Sequence, residues 1–207
     1  MKKKLNSQEK FWKGEFGLKY TNRNISKKLK KNTDIFFGKI FKKNKIKVQN
    51  LIELGSNVGN NLESLSKIFK NAEMTAVEIN QNACEILKRK NPNINIINSN
   101  IASLNAKLHF DLVLIKGVLI HINPNQLNDI YKKIFNLSKK YILLVEYYSS
   151  NPVGVRYRGN KDKLFKRDFA GEMIKKYNLN LIDYGFVYRF DKNPQDDLTW
   201  FLLKKKR

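Results

Sequence analysis

Between Val48 and Tyr148 the apolar residues fall into two kinds of run that alternate along the chain. Nearly continuous apolar stretches at residues 48–54, 74–78, 94–97, 110–115 and 141–148 have the length of strands buried on both faces. Between them, residues 59–70 and 82–90 carry apolar positions at helical spacing, as do Leu127, Ile130, Ile134 and Leu137 after Pro124. Asn91-Pro92-Asn93 breaks the second of these helices. This alternation of strand and helix, broken only by a short irregular segment between the third and fourth strands, predicts βαβ units, hence an α/β fold around a parallel sheet.

The flanks differ. Residues 1–47 hold no strand-like run, but Phe11, Trp12, Phe16 and Tyr20, followed by Leu29, Ile35, Phe36, Phe37 and Ile40, predict helices with one apolar face. They read as a helical extension or lid in front of a main domain at residues 48–207. After the fifth strand, residues 149–167 combine Ser-Ser-Asn-Pro, two glycines and clustered basic and aromatic side chains, which predicts an extended functional loop. A helix at 168–177 and strands at about 180–190 and 197–203 complete the chain.

Composition narrows the classes of function. At 207 residues with 42% hydrophobic content, one domain can bury a continuous core. The longest apolar runs are strand-sized, too short for a membrane span, and the basic start passes into polar residues without the apolar stretch of a secretory signal. A cytoplasmic protein without membrane contact is the expectation. One cysteine, Cys84, and two histidines exclude a disulfide framework and a Cys/His metal site. The formal charge of +23 favours anionic partners, nucleic acid among them, although lysines spread along an asparagine-rich chain also fit a drift in base composition.

The chemistry is concentrated after the first strand. Glu53-Leu54-Gly55-Ser56-Asn57-Val58-Gly59-Asn60 leaves a buried strand, turns tightly and enters a helix, so that backbone can approach a ligand closely. A dinucleotide loop needs glycines at 55, 57 and 60; Asn57 and Asn60 disfavour it. The spacing suits a smaller cofactor, and Asn57 is the non-glycine type that best tolerates positive φ. Glu78 ends the second strand 19 residues beyond Gly59, where a carboxylate can accept from both hydroxyls of a ribose.

Glu53 to Gly59, Ala76-Val77-Glu78-Ile79, and Phe110-Asp111-Leu112-Val113 with Gly117-Val118-Leu119-Ile120-His121-Ile122 resemble three motifs of class I methyltransferases that use S-adenosyl-L-methionine (SAM). The resemblance covers residues 48–148. It implies a Rossmann-like seven-stranded sheet in the order 3-2-1-4-5-7-6, last strand antiparallel, with helices on both faces. It also implies SAM contacts from Glu53, Gly55, Ser56, Asn57, Gly59, Glu78 and Ile79, from Lys116, Gly117 and Val118, and, around adenine, from Asn98, Ser99, Asn100 and Ile101. Asn100 stands where the family often has Asp. Phe11-Trp12-Lys13-Gly14-Glu15-Phe16-Gly17 with Tyr20 and Arg23, and Asn151-Pro152 with Arg156-Tyr157-Arg158, are similar to methylases associated with pseudaminic acid biosynthesis. That likeness adds Tyr20 and Arg23 to the cofactor side and Trp12 and Phe16 to the acceptor side.

Methyl transfer from a sulfonium is a direct displacement, driven largely by alignment in a water-poor site. His121, just beyond the fourth strand, can take a proton from an acceptor hydroxyl or amine. Glu146 and Tyr147 are further catalytic candidates at the end of the fifth strand, and Tyr148 could orient an acceptor. Arg156, Arg158 and Lys163, interleaved with Tyr157, predict recognition of an anionic group on a small acceptor such as a sugar acid or a nucleotide-linked sugar. Two other readings remain open here: methylation of RNA or another nucleic acid, and a non-catalytic SAM-fold protein binding partners through its basic surface. No Asp/Asn-Pro-Pro-aromatic motif for base amino groups is present.

Overall fold

The computed structural model describes residues 6–23, 26–105 and 107–206. Five parallel strands, β1 (Asn50–Leu54), β2 (Glu73–Glu78), β3 (Asn95–Asn98), β4 (Phe110–Lys116) and β5 (Ser138–Glu146), alternate with helices as the periodicity predicts. A hairpin of β6 (Val153–Tyr157) and β7 (Asn160–Lys166) follows, and then β8 (Asn180–Val187) and β9 (Leu198–Lys204). The large sheet runs β3-β2-β1-β4-β5-β9-β8, with β9 antiparallel to both neighbours. With the separate hairpin set aside, this is the expected order 3-2-1-4-5-7-6.

Strand alternation divides the core in two. From β4, Val113 and Ile115 join Ile52, Leu54, Ile142 and Leu144 against α6 (Leu127–Leu137) and α7 (Phe169–Tyr177). Leu112 and Leu114 join Leu51, Leu143 and Val145 on the other face, against α3 (Lys27–Asn44), α4 (Asn60–Ile68) and α5 (Gln81–Lys90). All four β4 side chains are 0% exposed, which explains the continuous apolar run: each has a helix layer to meet. Burial of each contributes about 2 kcal/mol.

The N-terminal helices have two different jobs. Phe36, Phe37, Ile40 and Phe41 of α3 are buried in the second core cluster, so α3 belongs to the sheet's helical layer. α1 (Ser7–Lys13) and α2 (Glu15–Arg23) lie over the carboxyl edge, where Leu29 and Thr33 near the start of α3 also reach. They are tied there at several points. Asn6 forms a capping box with Glu9 and its Nδ2 donates to Gln126 Oε1 at 3.0 Å. Gln8 Nε2 donates to the Asp162 carbonyl at 3.3 Å, Asn80 Nδ2 to the Trp12 carbonyl at 3.1 Å, and Thr21 Oγ1 to Asn57 Oδ1 at 3.1 Å.

Residues 149–167 correct the expectation of an extended loop. Tyr157 pairs with Asn160 across a two-residue turn, Arg158 (φ 48°) and Gly159 (φ 84°), both left-handed. Such a turn matches the twist of paired strands, and Arg-Gly in place of the usual Asn-Gly or Asp-Gly hides it in the sequence.

Candidate active site

The carboxyl ends of β1, β2, β4 and β5 open into one cavity of about 400 Å³, roofed by α1 and α2. Its first half is built by the glycine loop. Gly55 and Ser56 donate their amides to the Val77 carbonyl at 2.8 and 3.0 Å, which docks the loop on β2. Gly55 has φ 80°, and a Cβ there would stand 2.5 Å from a Val118 methyl. Asn57 holds φ 48°, the conformation for which its residue type is suited. Glu78 lines the cavity with both oxygens anchored: Oε2 accepts from the Asn57 amide and Oε1 from the Asn80 amide, each at 2.8 Å. A carboxylate so held keeps lone pairs for two further donors. Burial raises its pKa, against the pull of the Asn80 and Asn57 amides. Gly55, Ser56, Asn57, Ile79, Ser99, Asn100, Ile101, Lys116, Gly117, Val118 and Tyr20 all line the same cavity.

Other candidates on this side stand elsewhere. Gly59 (φ 79°) begins α4 outside the lining, and a Cβ there would meet Leu87 Cδ1 at 2.1 Å, so its role is close helix packing. Asn98 donates to the Glu78 carbonyl at 2.8 Å and braces β2 from outside the cavity. Asn100 reaches the cavity while its Oδ1 accepts from the Ser103 amide at 2.7 Å. Glu53 lies fully buried beneath the loop, where Asn61 donates to Oε1 at 2.5 Å. Arg23 ends α2, and its side chain lies outside the described residues.

The second half is aromatic. Trp12, Tyr20, His121, Tyr147 and Tyr157 line it. The His121 ring lies 4.6 Å from Trp12 and 4.9 Å from Tyr157. Its Nδ1 stands 2.6 Å from the Lys163 carbonyl, an atom that can only accept, so the proton sits on Nδ1 and Nε2 carries the lone pair. Burial lowers the His121 pKa to about 4, which keeps the ring neutral at physiological pH. Lys116, at the end of β4, faces Glu53, Glu146 and Asp196, and its burial lowers its pKa against their attraction.

Several acceptor-side expectations need correction. Glu146 is 4% exposed and absent from the cavity wall; its Oε1 accepts from the Val118 and Leu119 amides at 2.9 Å each, so it holds the loop that carries His121. Tyr147 does line the cavity; its hydroxyl donates to Asp196, and burial raises its pKa. Tyr148 is 48% exposed beside Phe201 and turns away from the cavity. Phe16 packs behind the wall, 4.1 Å from Phe11 and 5.8 Å from Tyr157. Arg156 and Arg158 are exposed and outside the lining, and Lys163 Nζ donates to Ser7 Oγ at 2.8 Å, fastening α1 to the hairpin. Gln195, Asp196 and Leu198, unnoticed in the sequence, enter the wall because β9 returns beside β5.

The brace at Glu146 yields a measurable consequence. Burial pushes its carboxyl from the usual 4.5 up to about 8, and that of Glu53 to the same value. Between these limits the folded chain binds more protons than the unfolded chain, so stability falls as pH rises through that window, by about 1.4 kcal/mol per unit per group. Glu146→Gln keeps an acceptor for both amides and removes the titration. Its thermal midpoint is expected to vary less with pH than that of the parent chain, whereas Glu146→Ala should lose about 1–3 kcal/mol by orphaning the amides. Equal pH slopes in parent and Gln variant would refute the assignment.

Comparisons with known proteins agree with this geometry. The model of the methyltransferase domain family matches residues 51–140, and no curated protein is similar to the chain. A SAM-dependent methyltransferase from Clostridium acetobutylicum superposes with a TM-score of 0.66 at 14% identity, covering 93% of this chain and 98% of the other. The 1,6-didemethyltoxoflavin-N1-methyltransferase of Burkholderia thailandensis, solved with 1,6-didemethyltoxoflavin and S-adenosylhomocysteine, gives 0.71 at 12% identity over 100% and 94%. Magnesium protoporphyrin IX methyltransferase from Synechocystis, solved with SAM, gives 0.70 at 11% over 100% of both chains. Residues 51–140 thus match a methyltransferase domain, and the sheet order and glycine loop are those of the class I methyltransferase fold. The residues present fit SAM as the cofactor: a glycine cradle that a Cβ would fill, and a buried, doubly anchored carboxylate in the cavity wall.

Proposed function

We propose that this enzyme transfers the methyl group of SAM to a hydroxyl or amine of a small acceptor held in the aromatic half of the cavity, with His121 Nε2 receiving the acceptor's proton. The observation that carries this reading is the hydrogen bond from His121 Nδ1 to the Lys163 carbonyl, which leaves a lone pair on a neutral, buried imidazole in the wall. SAM supplies an electrophilic methyl on a sulfonium; the chain's own work is to align the acceptor and exclude water. In this reading α1 and α2 serve as the lid, since they lie over the cavity and outside the helical layer to which α3 belongs.

The acceptor, on the same reading, carries an anionic group and belongs to the sugar acids or nucleotide-linked sugars. Support comes from the two segments that resemble the pseudaminic acid methylases: Trp12 and Phe16 from one and Tyr157 from the other pack as a single aromatic wall beside His121. Arg156 and Arg158 flank Tyr157 in sequence and stay exposed, so they would meet the anionic group at the mouth and leave the reacting centre apolar. The test is a turnover assay for S-adenosylhomocysteine release across neutral, cationic and anionic acceptors. Replacing both arginines by alanine should raise KM for an anionic acceptor about tenfold, a loss of about 1.4 kcal/mol, with SAM affinity unchanged. An unchanged KM would refute the anionic assignment, and transfer to none of the panel would refute the small-acceptor reading.

A further inference from the structure

Strand β8 closes the large sheet on one side, bonded only to β9, so its outer row of backbone donors and acceptors has no strand partner among the described residues. The strand and the turn after it carry the most exposed large apolar side chains on the described surface: Phe190 at 78%, Tyr184 at 64%, Phe186 at 59% and Tyr188 at 50%. Tyr184 and Phe186 alternate on the strand and Tyr188 and Phe190 follow in the turn after it; ring contacts join Phe186 to Tyr188 at 6.2 Å and Tyr188 to Phe190 at 5.3 Å, while Tyr184 stacks on Phe201 at 6.2 Å. An exposed edge with a hydrophobic row is a template for pairing, and proteins ordinarily blunt such edges with lysine or proline.

Charge separates the possible occupants. Over the whole chain, basic residues outnumber acidic ones by 41 to 18. Along residues 180–197 the balance reverses: Asp183, Asp191, Asp196 and Asp197 stand against Arg189 and Lys192 alone. A single-stranded nucleic acid would need cations tracking the phosphates beside the stacking rings, and this is the part of the chain that lacks the excess. Aromatic enrichment with depletion of net charge is instead the composition of a protein interface core. It is also the stretch where two strongly basic copies would repel each other least.

We propose that the β8 edge is the seat of a second copy of this chain, two copies meeting strand to strand about a twofold axis and continuing one sheet into the other. In that antiparallel pairing the two aromatic rows lie on one face and become cross-strand neighbours. With roughly 200 Å² for a large aromatic side chain, the four rings offer about 500 Å² per copy and about 1,000 Å² per pair. Leu181 and Ile182, at 45% and 42% exposed, and the strand backbone add to this, reaching the range of about 1,200 Å² at which specific interfaces hold.

Light scattering on a sizing column, with the full chain at about 100 μM, tests it. The expected mass is twice 24.3 kDa, and added salt should strengthen the pair by screening the net charge. Phe186→Asp with Tyr188→Asp should run as one chain while far-ultraviolet circular dichroism and SAM binding stay as in the parent; if that double variant loses its helical signal, Tyr184→Arg alone is read instead. A single-chain mass for the parent, a pair that survives in the folded variants, or a monomer that binds a single-stranded oligonucleotide only when Phe186 is intact would each overturn the proposal.

Discussion

Gly55→Val is expected to abolish SAM binding, with a loss of at least about 100-fold in affinity, about 2.7 kcal/mol. Two independent costs combine at this position. The residue sits at φ 80°, where a β-branched side chain is strained, and its first carbon would press on a Val118 methyl at 2.5 Å. Relief would require the loop to rise from the Val77 carbonyl or Val118 to enter the cavity, and both deform the cradle. Glu78→Ala approaches the same site from the other strand. It removes the acceptor for the Asn57 and Asn80 amides and the carboxylate offered to the ligand, and should weaken SAM by about 10- to 100-fold. Calorimetric titration of each folded variant decides the matter. Parent-like affinity in both would remove SAM from this cavity.

The cofactor loop is legible in the sequence and the acceptor side is not, and both facts have the same physical origin. A cofactor cradle made of consecutive backbone on one strand-turn-helix unit leaves a local record: a buried strand, glycines at fixed offsets, and a carboxylate at the next strand end. Asn57 could be placed at positive φ from its residue type alone, and it is found at 48°. The strands were legible for a similar reason, since both faces of β1 and β4 are covered and the apolar run is unbroken. Side chains at the end of β5 leave no such record. Alternation assigns Glu146 a face, but whether it meets a cavity or two orphan amides depends on the loop after β4 folding onto it. Gln195 and Asp196 are 48 and 49 residues from Tyr147 and share the cavity wall with it only because β9 runs antiparallel to β5. Composition suggests a clamp of Arg156 and Arg158; strand pairing through Tyr157 leaves both exposed and outside the cavity lining.

His121→Gln should lower kcat about 100- to 10,000-fold where the acceptor's proton must leave before or during transfer, within the usual range for loss of a positioned base, while leaving SAM affinity near that of the parent. The glutamine can still donate to the Lys163 carbonyl, so the link between the β4 loop and β7 survives and the loss reports the missing Nε2 lone pair. A structural role alone would give a different pattern, with the Gln variant active and only His121→Ala impaired. The pH profile is a second readout. Because burial lowers the His121 pKa to about 4, the basic form is fully present at neutral pH, and activity should stay level as pH falls from 7 until it drops near that value. The same shift links to folding: the unfolded chain takes up a proton near 6.5 that the folded chain refuses until about 4, so the contribution of His121 to stability is complete above 6.5 and declines as pH falls through that window. In His121→Gln that part of the acid sensitivity should vanish together with the fall in turnover. Were kcat to titrate near 6.5 with the parent enzyme, the ring would be solvated in the working enzyme and the buried-base assignment would fail.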